Sequence, residues 1–179
     1  MSAEKLTIRV STRRGTDATI ALRPIRPEDQ PFLLAVYASS REPELAVVEW
    51  DAEQKAAFVR MQFDAQHAYY QEHYAGAAFD VILVDGQPAG RLYVARENDE
   101  IRIVDIALLP NFCNRGIGTS LLRGLQSEAA AAGKSLRIHV ERFNPALRLY
   151  ERLGFTSIAD RGVYLFMEWR GGDLRHRST

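Results

Sequence analysis

The stretch that decides the reading runs Ile101-Arg-Ile-Val-Asp-Ile-Ala-Leu-Leu-Pro110-Asn-Phe-Cys-Asn-Arg-Gly116-Ile-Gly118-Thr119. Its first half is apolar at most positions, as expected of a strand covered on both faces. Pro110 ends that strand. Two glycines then flank one apolar residue, and a helix begins. From Ile117 to Ala132, the residues Ile117, Leu121, Leu122, Leu125 and Ala129 fall on one helical face, and Gly133 is a suitable stop. Leu136 to Glu141 reads as the next strand, so strand, helix and strand form a parallel unit.

The same reading extends outward. Leu6 to Val10 and Thr19 to Leu22 are short apolar-rich runs around Arg13-Arg-Gly-Thr-Asp17 and pair as a hairpin. Pro27-Glu28-Asp29 opens a helix through Phe32, Leu33, Val36 and Tyr37. Asp51 is placed to cap a long helix from Ala52 to about Tyr74, with Phe58, Met61, Ala65 and Tyr69 as its apolar stripe. Phe79 to Val84 and Gly90 to Ala95 are strands around the turn pair Asp85-Gly86. A short helix is expected from Pro145 to Leu153, capped by Asn144 and ended by Gly154, and Val163 to Trp169 supplies a last strand. The class is α/β (α+β), with a mixed sheet.

Composition sets the outer bounds. The chain of 179 residues suits one domain, expected over 1–170 with a polar tail at 171–179. A formal net charge of zero argues against a nucleic-acid partner, which calls for a basic excess. One cysteine, Cys113, allows no intrachain disulfide and no multi-cysteine metal site. The four histidines show no metal-ligand spacing, so no metal is expected. No apolar run reaches the ~20 residues of a membrane span, and the N-terminus lacks a signal-peptide core, which predicts a cytoplasmic protein.

The glycine turn can bind an anion. A helix start exposes unpaired N–H groups and partial positive charge, and glycine lets a ligand approach the amides. A pyrophosphate suits such a place. A plain strand-to-helix turn explains the same residues. The dinucleotide fingerprint would need a third glycine, and a P-loop would need Gly-Lys-Ser/Thr; neither is present.

A second segment, Asn144-Pro-Ala-Leu-Arg-Leu-Tyr150-Glu-Arg-Leu-Gly154-Phe155, follows the turn in the order and at the distance seen in one superfamily. With Arg115-Gly-Ile-Gly118 and Ile103 to Pro110, the chain from about Phe79 to Trp169 resembles the GNAT N-acetyltransferases. The first position of the family's turn motif, usually Arg or Gln, is Cys113 here.

The resemblance implies a mixed, mostly antiparallel twisted sheet around the parallel unit, with helices on both faces. It implies acetyl-coenzyme A as co-substrate. The acceptor would be a small-molecule amine or a protein N-terminus, attacking directly in a ternary complex. By the same resemblance, the backbone of Ile106, Ala107 and Leu108 pairs with the pantetheine arm. Amides of Asn114, Arg115, Gly116, Ile117, Gly118 and Thr119 hold the pyrophosphate. Asn144 either contacts pantetheine or serves only as a helix cap. Tyr150 is either the general acid for the departing thiolate or a packed core tyrosine. The family's glutamate base on the decisive strand corresponds to Arg102, which cannot act as a base. His139, where some relatives carry a glutamate, is a base acting directly or through water, or a structural histidine. Asp105 and Glu141 rank behind it. Gln62, Phe63, Gln66, His67, Tyr69, Tyr70 and Tyr74 are divided between core, solvated face and acceptor pocket. A homodimer is expected from the family. A non-catalytic acyl-coenzyme A-binding regulatory module is the alternative.

Overall fold

The computed structural model describes residues 7–11 and 17–172. In chain order these form β1 (Thr7–Ser11), β2 (Asp17–Pro24), α1 (Gln30–Ala46), α2 (Ala52–His73), β3 (Ala78–Val84), β4 (Gln87–Arg96) and β5 (Glu100–Leu108). They continue with α3 (Ile117–Ala132), β6 (Ser135–Glu141), α4 (Leu147–Arg152), β7 (Thr156–Arg161) and β8 (Tyr164–Arg170). One eight-stranded sheet runs β1-β2-β3-β4-β5-β6-β8-β7, and only β5–β6 is parallel. The expected hairpin at the start is β1–β2, although Leu6 and residues 12–16 of its loop lie outside the described residues. Asp85 and Gly86 carry positive φ (50° and 80°), the geometry of a tight two-residue hairpin.

Helices cover both faces. On one, Ile117, Leu121, Leu122 and Leu125 of α3 pack on Leu92, Val94, Ile101, Ile103, Leu136 and Ile138. Along β4 the alternate residues Arg91 and Tyr93 face the other way and meet Gln66 and Tyr70 of α2. There Leu33 and Tyr37 of α1 close over Val59 and Phe63 of α2.

Three local expectations are corrected. The buried stripe of α2 is Val59 and Phe63, whereas Met61 and Tyr69 are 59% and 51% exposed. Apolar residues ring this helix, so its period admits two registers one residue apart; contact with α1 selects between them. Second, α4 starts at Leu147, not at Pro145. Asn144 Oδ1 accepts from the Ala146 amide at 2.8 Å, and Leu147 N–H donates to Asn144 O at 3.0 Å, so a turn precedes the helix. Third, β7 was not foreseen. It is an edge strand with mostly exposed side chains, so it carries no hydrophobic alternation to read.

Two irregularities position the site. Opposite β4, Tyr93 pairs with Asp105 and Val94 with Ile103, which leaves Val104 as an extra, bulged residue in β5. On its other side β5 pairs with β6 only from Glu100↔Ser135 to Ile103↔Ile138. Past that point β5 continues to Leu108 and β6 to Glu141 without pairing, so the two strands splay apart.

Candidate active site

The splayed strands open a cleft of about 190 Å³. Ile106 and Ala107 line it from β5, His139 from β6, and Asn144 and Tyr150 from the segment after β6. Leu108 and the glycine turn 114–119 are not part of this lining; they follow at the C-terminal end of β5.

The turn is built as an open helix start. Asn114 has φ 59° and Gly116 φ 84° as the residue preceding α3. No side chain caps the helix, and its first helical bond is Ser120 N–H to Gly116 O. The amides before Ser120 therefore lack intrahelical acceptors. A Cβ built at Gly116 would meet nothing within 4 Å, so this surface is clear for a ligand. Arg115 lies over the Phe112 ring at 5.6 Å. Cys113, in the family's Arg/Gln position, is exposed and has Sγ 3.5 Å from the Leu109 carbonyl. The uncapped amides and the unpaired edge of β5 fit an extended thioester arm ending in a pyrophosphate.

Tyr150 is 4% exposed and packs edge-on against Phe155. Its hydroxyl has no hydrogen-bond partner among the described residues, yet it is not one of their fully buried orphan atoms, so it meets the cleft. Burial, with a contribution from the charge of Asp105, raises its pKa well above the usual phenol value. The hydroxyl therefore keeps its proton at neutral pH.

His139 is solvent-exposed and stacks on Phe166 with ring centroids 4.4 Å apart. Its Nδ1 lies 3.5 Å from Arg102 Nη1. Desolvation first, then Arg102 and Arg161, lowers its pKa below the ordinary imidazole value. The ring is neutral at pH 7 and retains a lone pair. Arg102 is itself held by Glu100, at 2.7 Å through Nε. The Asn144 carboxamide oxygen is occupied by its local turn.

The opposite wall of the cleft comes from α1, α2 and β4. Arg91, 4% exposed, places Nη2 2.5 Å from Asp105 Oδ2 and donates to Gln66 Oε1 at 2.9 Å. Asp105 Oδ2 is thereby held in a buried ion pair, Arg91 also lies over the Tyr93 ring at 5.5 Å, and Arg91 Nε has no hydrogen-bond partner among the described residues. Arg41 of α1 reaches Glu141 of β6 at 3.3 Å, linking the two sides of the cleft. Of the α2 residues considered from sequence, Gln66 and Tyr70 line the cleft. Phe63 is core, Gln62 accepts from the Tyr37 hydroxyl at 3.4 Å, and Tyr69 stacks on His73 at the surface. Arg91, Arg41 and Tyr37 were not foreseen. A charged residue inside the buried run Ala89–Ala95 was the one available signal for Arg91.

The model of the acetyltransferase (GNAT) family matches residues 29–155. The chain belongs to the GNAT family. As a member it is an acyl-coenzyme A-dependent acetyltransferase in its general chemistry. Its fold is shared with PaiA N-acetyltransferase from Thermoplasma acidophilum, solved in complex with coenzyme A. That match has a TM-score of 0.63 at 20% identity and covers 85% of this chain and 99% of that one. An acetyltransferase from Agrobacterium tumefaciens gives a TM-score of 0.60 at 19% identity, covering 96% of both chains. The GNAT domain of PAT from S. lividans gives 0.60 at 15% identity, covering 92% of this chain and 97% of that one. No curated protein matches the chain in sequence. Among the described residues of this GNAT protein, no helix is long and apolar enough to cross a membrane, and no group of acidic, histidine or cysteine side chains is set to hold a metal.

Proposed function

We propose that this GNAT protein transfers the acetyl group of acetyl-coenzyme A to a primary amine, of a small molecule or a protein N-terminus, by direct attack in a ternary complex. The observation that carries the reading is the opening between β5 and β6, with the Tyr150 hydroxyl facing into it. Backbone groups of Ile106, Ala107 and Leu108 hold the pantetheine arm as an added strand. Amides from Asn114 to Thr119 hold the pyrophosphate. Asn144 acts from the rim, where its amide nitrogen stays available. The amine attacks the thioester carbonyl, and an amide of Ile106–Leu108 stabilises the oxyanion. Neutral His139 takes the amine proton, directly or through water. As the tetrahedral species collapses, the carbon–sulfur bond breaks and Tyr150 protonates the departing thiolate. We further assign residues 1–170 to one domain with a tail at 171–179, a cytoplasmic location, and a homodimer.

Calorimetric titration with acetyl-coenzyme A, coenzyme A and ADP tests the donor. Micromolar binding of the first two and much weaker binding of ADP is expected. ADP binding as tight as acetyl-coenzyme A would remove the acyl-transfer reading. Donor binding without thiol release in any amine screen would favour a regulatory module.

A further inference from the structure

A buried charged cluster underlies one wall of the cleft: the Arg91–Asp105 ion pair lines it, and Tyr93 packs behind, with Arg91 5.5 Å from its ring. Tyr93 and Asp105 are cross-strand partners, and the Tyr70 ring meets the Tyr93 ring edge-on at 6.0 Å. Arg91 Nη2 joins the two elements by facing Asp105 of β5 and Gln66 of α2. Gln66 and Tyr70 are four apart and share a helical face. A buried network of this kind holds the side chains at its edge in one orientation, Asp105 and Gln66 among them.

The oxygens facing that place define the ligand. Asp105 Oδ1 has no partner and is not a buried orphan, so it meets the cleft, as do the hydroxyls of Tyr70 and Tyr150. Each cleft carboxylate has an arginine on one oxygen, Asp105 with Arg91 and Glu141 with Arg41, but Glu141 is 32% exposed against 16% for Asp105, so water competes more at Glu141. Burial, with the Asp105 charge next, pushes the Tyr70 hydroxyl well above its usual pKa, so it stays neutral. One carboxylate and two neutral hydroxyls thus line the same cleft from β5, α2 and α4. A primary ammonium presents three N–H donors and one positive charge, which matches them. Asp105 is also next in sequence to Ile106, whose backbone edge is open to the cleft.

We propose that Asp105 and Tyr70 form the seat for the ammonium of the acceptor, with Arg91 and Gln66 as positioning residues. The proposal rests on the acyl-transfer reading above and adds the acceptor subsite to it. Arg91 fixes the buried oxygen of Asp105 so that the other points into the cleft. The seated ammonium releases one proton to solvent before attack, His139 takes the second from the tetrahedral adduct, and Tyr150 protonates the departing thiolate.

The test is steady-state thiol release with acetyl-coenzyme A and a panel of primary amines (propylamine, benzylamine, tyramine, an amino-acid amide), each beside its N,N-dimethyl derivative. Donor affinity is measured in parallel by calorimetry. Asp105→Asn is expected to raise the amine KM about tenfold or more, and Tyr70→Phe about threefold, with donor affinity unchanged. Asp105→Asn leaves Arg91 buried without its counter-charge, so the double variant Asp105→Asn, Arg91→Gln is made alongside and is expected to show the same KM defect. An unchanged amine KM in Asp105→Asn or the double variant overturns the proposal. A wild-type protein that binds acetyl-coenzyme A but releases thiol with none of the primary amines, or one that fails to bind acetyl-coenzyme A, would instead defeat the acyl-transfer reading itself.

Discussion

The two walls of the cleft are made of different material. The side we propose for the donor is backbone: the unpaired edge of β5 in the cleft, and beyond it the glycine turn and the uncapped start of α3. The side we propose for the acceptor is made of side chains from distant segments: Tyr37 and Arg41 of α1, Gln66 and Tyr70 of α2, Arg91 of β4 and Asp105 of β5. A backbone site is specified by a few conformational requirements at neighbouring residues, so it can be written as a short motif. A side-chain site depends on which faces the folded elements turn toward one another. The comparison explains why the co-substrate is easier to assign here than the acceptor.

Breaking the donor wall should have the largest effect. Gly116→Asp adds a charge facing the pyrophosphate site at a residue with φ 84°. A Cβ there meets no neighbour within 4 Å, but the positive φ strains any L side chain, so the unfolding midpoint of the variant is measured alongside. We expect acetyl-coenzyme A affinity to fall by about 100-fold or more, read by calorimetry, because like charge then sits at the helix start. The next largest effect concerns the junction of the two walls. Tyr150→Phe should lower kcat by about 100-fold while leaving donor affinity nearly intact, since only proton delivery is lost. Single-turnover thiol release would separate this from slow product release.

His139→Gln should lower kcat/KM by about tenfold. The pH profile sharpens the assignment. Because the His139 pKa is lowered, the base form is lost only as pH falls below the ordinary 6.5. The wild-type profile of kcat/KM should therefore fall on the acid side below that value, and the glutamine variant should lose that limb. An identical limb in both would assign the base elsewhere.

The smallest effect on turnover is expected from the support of the acceptor wall. Asp29 is 9% exposed and accepts from both terminal nitrogens of Arg23, at 2.6 and 2.7 Å, and from the Arg26 amide at 2.8 Å. These contacts tie the entry of α1 to β2. The Arg23 hydrogen bonds hold the Asp29 carboxyl below its ordinary 3.8. A depressed carboxylate pKa stabilises the fold above the unfolded value, and that contribution is lost as pH falls through the lower folded value. Asp29→Ala should cost about 3 kcal/mol in denaturant unfolding, while kcat at 25 °C changes little. The stability gap should shrink below about pH 3.8, where the wild-type pair is itself lost.

The order of elements apart from β7, and the glycine turn that opens α3, were legible in the sequence because they rest on local rules, whereas the turn's role toward a donor came from the family resemblance. The α3 face, its bounds at Ile117 and Ala132, and its stop at Gly133 (φ 65°) all follow from helical period and glycine conformation. The Asp51 cap follows likewise, with its side chain accepting from the Gln54 amide at 2.8 Å. Local rules were weakest where competing patterns have similar strength. The α2 stripe came out one residue away because two registers are almost equally apolar. The edge strand β7 stayed hidden because its exposed residues carry no pattern.

What the sequence by itself determined is therefore the mixed sheet, its parallel strand–helix–strand unit, and the glycine turn that opens α3. Only the tertiary structure decided that β5 and β6 part company after Ile103 and Ile138, and that Val104 bulges. Only it brought Arg91, Tyr70 and Asp105 to one wall. Strand pairing and helix packing are long-range contacts, selected by the collective burial of the core, and no single segment carries that information.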